Sequence, residues 1–129
     1  MFPRSLVIVI DDSSEVLETA SRYLKSKGMD VVTSTHGFEL AGLIGRRSPD
    51  AVVLDVMMPA LAGSTLAQIV RKHAPNVPIV FYSAIPEDKG KDLVSGVPLS
   101  TFVPKTQGVI GLHREIASLL EKFPSAARS

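Results

Sequence analysis

Two stretches of the chain, "LVIVI" at Leu6–Ile10 and "AVVL" at Ala51–Leu54, are apolar at every position. A strand with one wet face alternates apolar and polar residues; a strand without alternation is covered on both faces. Asp30–Ser34, Ile79–Ser83 and Thr101–Val103 are three more short strand candidates. Between them lie segments with helical spacing. Val16, Leu17, Ala20, Tyr23 and Leu24 form the first, with Gly28 placed to stop it. Phe38, Leu40, Ala41, Leu43 and Ile44 suggest a second helix, which must tolerate Gly45. Leu66, Ile69, Val70 and His73 mark a third, stopped before Pro75. Pro86, Gly90, Gly96 and Pro98 leave room for only a short fourth helix around Glu87–Val94. Val109, Leu112, Ile116, Leu119, Leu120 and Phe123 give the clearest helical stripe. Five β–α units of this kind predict an α/β domain, a parallel sheet with helices on both faces.

The 129 residues are expected to form a single domain, with a core over about 5–123 and a polar tail, "PSAARS", over 124–129. A chain of this length buries roughly two-thirds of its unfolded surface. Lys and Arg number 14 against 13 Asp and Glu, so no basic excess points to nucleic acid or an anionic membrane. The absence of cysteine excludes disulfides, thiolate nucleophiles and Cys-based zinc sites. The apolar run near the N-terminus is too short for a signal peptide, and no stretch approaches the ~20 apolar residues of a membrane span. A cytoplasmic location is the expectation.

Sheets of this class carry functional groups beyond the carboxyl ends of their strands. Strand one ends in Asp11 and Asp12, strand three in Asp55, strand four in Ser83, and strand five is followed by Pro104 and Lys105. Each has a plain structural explanation by itself. "DDSS" suits a turn and helix N-cap, Asp55 suits a turn, and Ser83 and Lys105 suit a loop. Together, three carboxylates, a hydroxyl and an ammonium would gather on one edge. Carboxylates about 5 Å apart repel by roughly 3 kcal/mol per pair at an effective dielectric near 20. A hard divalent cation relieves this, and an all-oxygen site suits Mg²⁺ better than zinc. A lysine and a hydroxyl are what a phosphoryl group needs on its remaining oxygens. Asp55 then reads as a carboxylate nucleophile that forms an aspartyl phosphate.

The motifs "VIVIDDSS", "VVLDVMMPALAG", "IVFYSA" and "TFVPK" resemble the receiver domains of two-component response regulators, including the single-domain chemotaxis type. The resemblance spans about residues 5–123, with the motifs in order and at family-like spacing. It implies a doubly wound, flavodoxin-like fold: a five-stranded parallel sheet, order 2-1-3-4-5, with five flanking helices. It implies Asp55 as phosphoacceptor, Asp12 as direct Mg²⁺ ligand, Asp11 reaching the ion mainly through water, and the Met57 carbonyl as a further ligand. Ser83 matches the switch hydroxyl, Phe102 the aromatic whose rotamer follows it, and Lys105 the lysine that pairs with the phosphoryl oxygen. The implied partners are a histidine kinase or histidine phosphotransfer protein, and a downstream target or an output domain in a longer chain. The face of helix four, strand five and helix five is implied as the signalling surface and a candidate dimer surface.

Three departures from the family pattern stand out. Many members have a cis Lys-Pro bond after strand five; here Pro104 precedes the lysine and Thr106 follows it, so that loop must be shaped otherwise. Met57 and Ile85, two residues beyond Asp55 and Ser83, cannot orient an attacking water as polar residues would. The fourth helix is rich in glycine and proline. Two rival functions remain. An aspartyl-phosphate phosphatase or transferase would need an acid where Met57 stands. A phosphorylation-independent interaction module would be marked by loss of the acceptor or the lysine, and both are present. His36, His73 and His113 lie in no phosphotransfer context.

Overall fold

A computed structural model describes residues 4–58 and 62–124. The strands are β1 Leu6–Ile10, β2 Asp30–Ser34, β3 Ala51–Leu54, β4 Ile79–Ser83 and β5 Ser100–Pro104. The helices are α1 Ser14–Ser26, α2 Leu40–Arg47, α3 Gly63–His73, α4 Glu87–Ser95 and α5 Gly108–Lys122. The strands form one parallel sheet in the order β2-β1-β3-β4-β5, as expected. Residues 125–129 of the expected polar tail, and Pro59, Ala60 and Leu61 of the motif "VVLDVMMPALAG", lie outside the described residues.

Alternate strand residues go to opposite faces, and this splits the core in two. Val7, Val9, Val53, Val80, Tyr82 and Val103 pack under α1 and α5, against Leu17, Leu24, Leu112 and Ile116. Ile8, Ile10, Val52, Leu54, Ile79 and Phe81 pack on the other face, against Leu40, Ile44, Leu66 and Val70. Both sides of β1 and β3 are therefore dry, which is why these strands carry no polar residue.

Local signals fix the helix ends. Ser13 caps α1, its hydroxyl accepting from the Val16 N–H at 3.3 Å. Gly28 turns the chain toward β2 with φ +89°, a conformation that glycine adopts without steric penalty. Two expectations need adjustment. Phe38 does not join α2; it sits in a 3-10 turn over Gly37–Glu39 and is 73% exposed. β5 is longer than Thr101–Val103, because pairing with β4 continues from Ser100 to Pro104.

The loop between α4 and β5 is held from outside its own segment. Arg71 on α3 donates to the carbonyls of Val77 (2.7 Å), Pro98 (2.6 Å) and Leu99 (3.2 Å). Leu99 takes φ +53°, an uncommon conformation for a branched side chain. The guanidinium fork supplies several donors to these carbonyls, and the Leu99 carbonyl also accepts from the Ile79 N–H of β4 at 2.9 Å.

Candidate functional site

The sheet ladder runs one residue past β1 and β3. The Asp11 N–H donates to the Ser34 carbonyl at 3.2 Å, and the Asp55 N–H donates to the Ile10 carbonyl at 3.1 Å. These bonds fix the two aspartates side by side at the carboxyl edge. Carboxylate oxygens of Asp11, Asp12 and Asp55 lie within 4.8 Å of one another. Asp11 and Asp55 are buried, whereas Asp12 is exposed.

Lys105 arrives from the end of β5 and bridges the buried pair. Its Nζ is 2.8 Å from Asp11 Oδ2 and 3.3 Å from Asp55 Oδ2. Pro104 ends the strand with extended geometry and Lys105 opens a 3-10 turn over Lys105–Gln107. That turn is the shape the β5 loop takes in place of the Lys-Pro arrangement. Nζ also stands 6.0 Å from the centroid of the Tyr82 ring.

The other carboxylate oxygens are held by backbone. Ser13 N–H donates to Asp11 Oδ1 at 2.9 Å, and Met57 N–H donates to Asp55 Oδ1 at 3.2 Å. "DDSS" thus serves both expectations, because Ser13 caps α1 with its hydroxyl and orients Asp11 with its amide. The Met57 side chain is 63% exposed at the rim. Beyond it, Gly63 N–H donates to the Val56 carbonyl at 3.2 Å. A Cβ at Gly63 would stand 2.8 Å from Val56 Cα, so glycine lets the loop close against its own start.

Electrostatics follow from this packing. Burial pushes the Asp11 carboxyl up; Lys105 and the Ser13 amide pull it down, and the charge of Asp55 adds to the rise, for a net upward shift. Burial disfavours the Lys105 ammonium, but Asp11 and then Asp55 outweigh it, and Lys105 holds its proton more tightly than a free lysine. Burial also raises the Tyr82 hydroxyl. Three carboxylates less one ammonium leave a formal charge of two negatives at the site. That remainder, with oxygen-only donors and an exposed Asp12 on one side, fits a hard divalent cation.

Ser83 ends β4 fully buried, and its Oγ has no hydrogen-bond partner among the described residues. Phe102 pairs with Phe81 in the sheet, two residues before Ser83, so Ser83 and Phe102 share a face. The structure therefore gathers Asp11, Asp12, Asp55 and Lys105 directly, sets Ser83 at the same edge, and places Phe102 on the face of Ser83, two residues in from that edge. His36 and His73 are exposed, and His113 packs edge-on to Tyr23 between α1 and α5. The sequence reading missed Tyr82 beside Lys105, whose only signal was its place next to Ser83, and Arg71.

A doubly wound sheet of this order, with an acidic cluster and a lysine at its carboxyl edge, defines the flavodoxin-like receiver fold. Residues 7–117 match the response regulator receiver domain family. The response regulator MprA of Mycobacterium sp. (strain KMS) is 32% identical over 118 residues, which cover 90% of this chain and 50% of that protein. The receiver domain of the Francisella response regulator 1452 superposes with a TM-score of 0.81 at 26% identity, covering 92% of this chain and 98% of that one. The Thermotoga maritima response regulator TrrA, solved in complex with Mg(2+)-BeF, shares the fold with a TM-score of 0.78 at 22% identity, over 90% of this chain and 99% of that one. The chain belongs to the response regulator receiver domain family. It spans about half the length of the curated relatives it matches. No helix among the described residues is long and apolar enough to cross a membrane.

Proposed function

We propose that this chain is a phosphorylation-activated signalling receiver, with Asp55 as the acceptor. The observation that carries this reading is the cluster of Asp11, Asp12 and Asp55 bridged by Lys105, with the Ser83 hydroxyl, unpartnered among the described residues, at the same edge. The donor is a phosphohistidine on a histidine kinase or phosphotransfer protein. An Asp55 carboxylate oxygen attacks phosphorus; the new O–P bond forms as the P–N bond breaks, and the imidazole leaves with the electron pair. Lys105 turns from Asp11 to the phosphoryl oxygens, and the Ser83 hydroxyl donates a hydrogen bond to another of them.

Asp12 directly, Asp11 through water, Asp55 and the Met57 carbonyl are the groups we assign to hold Mg²⁺, which when bound neutralises charge on the phosphoryl oxygens. The bound TrrA complex supports this ion for a relative of the same fold. The product is a modified receiver rather than a released compound, so the chain assists its own modification without being a turnover enzyme. Loss of the phosphoryl group is hydrolysis at the same site.

Phosphorylation then biases a two-state equilibrium through Ser83 and Phe102 and changes partner affinity at the face of α4, β5 and α5. That face is the one we assign to a downstream target, to an output domain in a longer chain, or to a second copy. A cytoplasmic setting follows from the kinase partner. The test is transfer of label from a phosphohistidine donor in the presence of Mg²⁺. The label should be released by hydroxylamine, as an acyl phosphate is, and should not appear on the Asp55→Asn protein. Label that resists hydroxylamine, or that persists in the variant, contradicts the proposal.

A further inference from the structure

Helix α4 meets the sheet in an unusual way. Its one fully buried residue is Gly90; Leu93 and Val94 are half-buried, and Glu87, Asp88, Lys89, Lys91 and Asp92 are exposed. A helix ordinarily docks through large apolar side chains. Here a residue with no side chain is at the centre of the contact. The reason lies across the gap: a Cβ at Gly90 would overlap Cδ1, Cγ and Cε1 of Phe102, the last at 2.6 Å. The ring of Phe102 rests on the bare backbone of α4, in the space that any other residue would fill. Glycine is also a poorer helix former than alanine at an interior position.

We propose that Gly90 is the seat of the Phe102 ring and that it positions the switch, holding Phe102 in its resting place and tying the docking of α4 to where the ring lies. The resting state is the one described above, with Lys105 on Asp11 and the Ser83 hydroxyl unpartnered among the described residues. A side chain at position 90 evicts the ring from that state. It thereby favours the alternative state, and any ligand that selects the alternative binds more tightly. The switching half of this inference rests on the proposed receiver function; the seating half does not.

Two measurements on the Gly90→Ala protein separate the halves. In the first, urea midpoints are measured for Gly90→Ala, Phe102→Ala and the double variant. The alanine at position 90 should destabilise the wild-type background and be neutral or stabilising once the ring is gone. Equal losses in both backgrounds would overturn the seat. In the second, half-saturation by beryllofluoride with Mg²⁺ is followed by ¹⁹F resonance. Gly90→Ala should saturate at a concentration lower by about fivefold or more, the low end of ordinary coupling between sites. A smaller or opposite shift overturns the switching role alone. If the wild-type protein does not bind beryllofluoride, the receiver reading fails and the switching role with it, while the first measurement still decides the seat. Should Gly90→Ala fold poorly, Gly90→Ser is the substitute for both measurements, with the same expected signs.

Discussion

Lys105 Nζ stands nearer to Asp11 Oδ2, at 2.8 Å, than to Asp55 Oδ2, at 3.3 Å. The lysine therefore occupies an oxygen of the carboxylate set proposed to hold the metal. A cation entering the cluster meets a positive charge already in place. Removing that charge should favour the cation and harm the chemistry. Lys105→Ala is expected to bind Mg²⁺ several-fold more tightly by calorimetry. Phosphoryl uptake should fall by about a hundredfold, the usual scale for loss of a charge-stabilising group. Weaker Mg²⁺ binding in the variant would contradict the competition.

Asp11 gives a prediction with a defined sign. Its carboxyl is raised by burial, and by Asp55, against the pull of Lys105 and Ser13. A group raised in the folded state contributes stability that is complete below its unfolded value and is lost as pH rises through its folded value. Without metal, the wild-type protein should thus lose stability relative to Asp11→Asn as pH climbs from the ordinary carboxylate range toward neutral. At neutral pH the metal-free variant should melt higher. Saturating Mg²⁺ should reverse the order, because only the wild-type protein keeps the full ligand set. Thermal melts with and without chelator decide it; a variant that is less stable in both conditions would refute the assignment.

Met57 is exposed at the rim and Ile85 is half-buried, each two residues beyond a site residue. Neither side chain carries an N–H or O–H to orient water toward phosphorus. The aspartyl phosphate is expected to be long-lived. Met57→Asn should speed its decay by on the order of tenfold, a modest return for orienting one reactant. Decay of labelled phosphoprotein measures this, and an unchanged half-life would remove Met57 from the account.

The α4 region should exchange its amides fast. α4 fully buries Gly90 alone, whereas α5 fully buries Gly111, Leu112, Ile116 and Leu119. Opening costs less where fewer apolar groups are dry. Hydrogen exchange across Glu87–Leu99 is expected to be markedly faster than across α5. Equal protection would mean that the Phe102 contact and the Arg71 bonds hold the segment as firmly as a packed helix.

β1 and β3 were legible in the sequence because burial on both faces leaves no place in them for a polar residue. "LVIVI" and "AVVL" state it directly, and the carboxylate after each marks the carboxyl edge of the sheet. The site was legible for the same reason: Asp11, Asp55 and Lys105 interrupt or follow apolar runs, and the strand order does the rest. Phe38 was not, since helical spacing cannot distinguish a helix from the turn that leads into it. The ends of β5 were set by pairing with β4, which Ser100 and Pro104 do not advertise. The Arg71 bonds go to carbonyls, which have no residue identity to read. The seat at Gly90 depends on which side of α4 meets the sheet and how the Phe102 ring lies. From the sequence, that glycine was only a helix weakener.

The central claim is that Asp55 is the residue phosphorylated, and intact mass after treatment with acetyl phosphate tests it most directly. With Mg²⁺ the protein should gain the mass of one phosphoryl group, chelator should suppress the gain, and Asp55→Asn should show none. A gain that persists in Asp55→Asn, or no gain in the wild-type protein, would contradict the account.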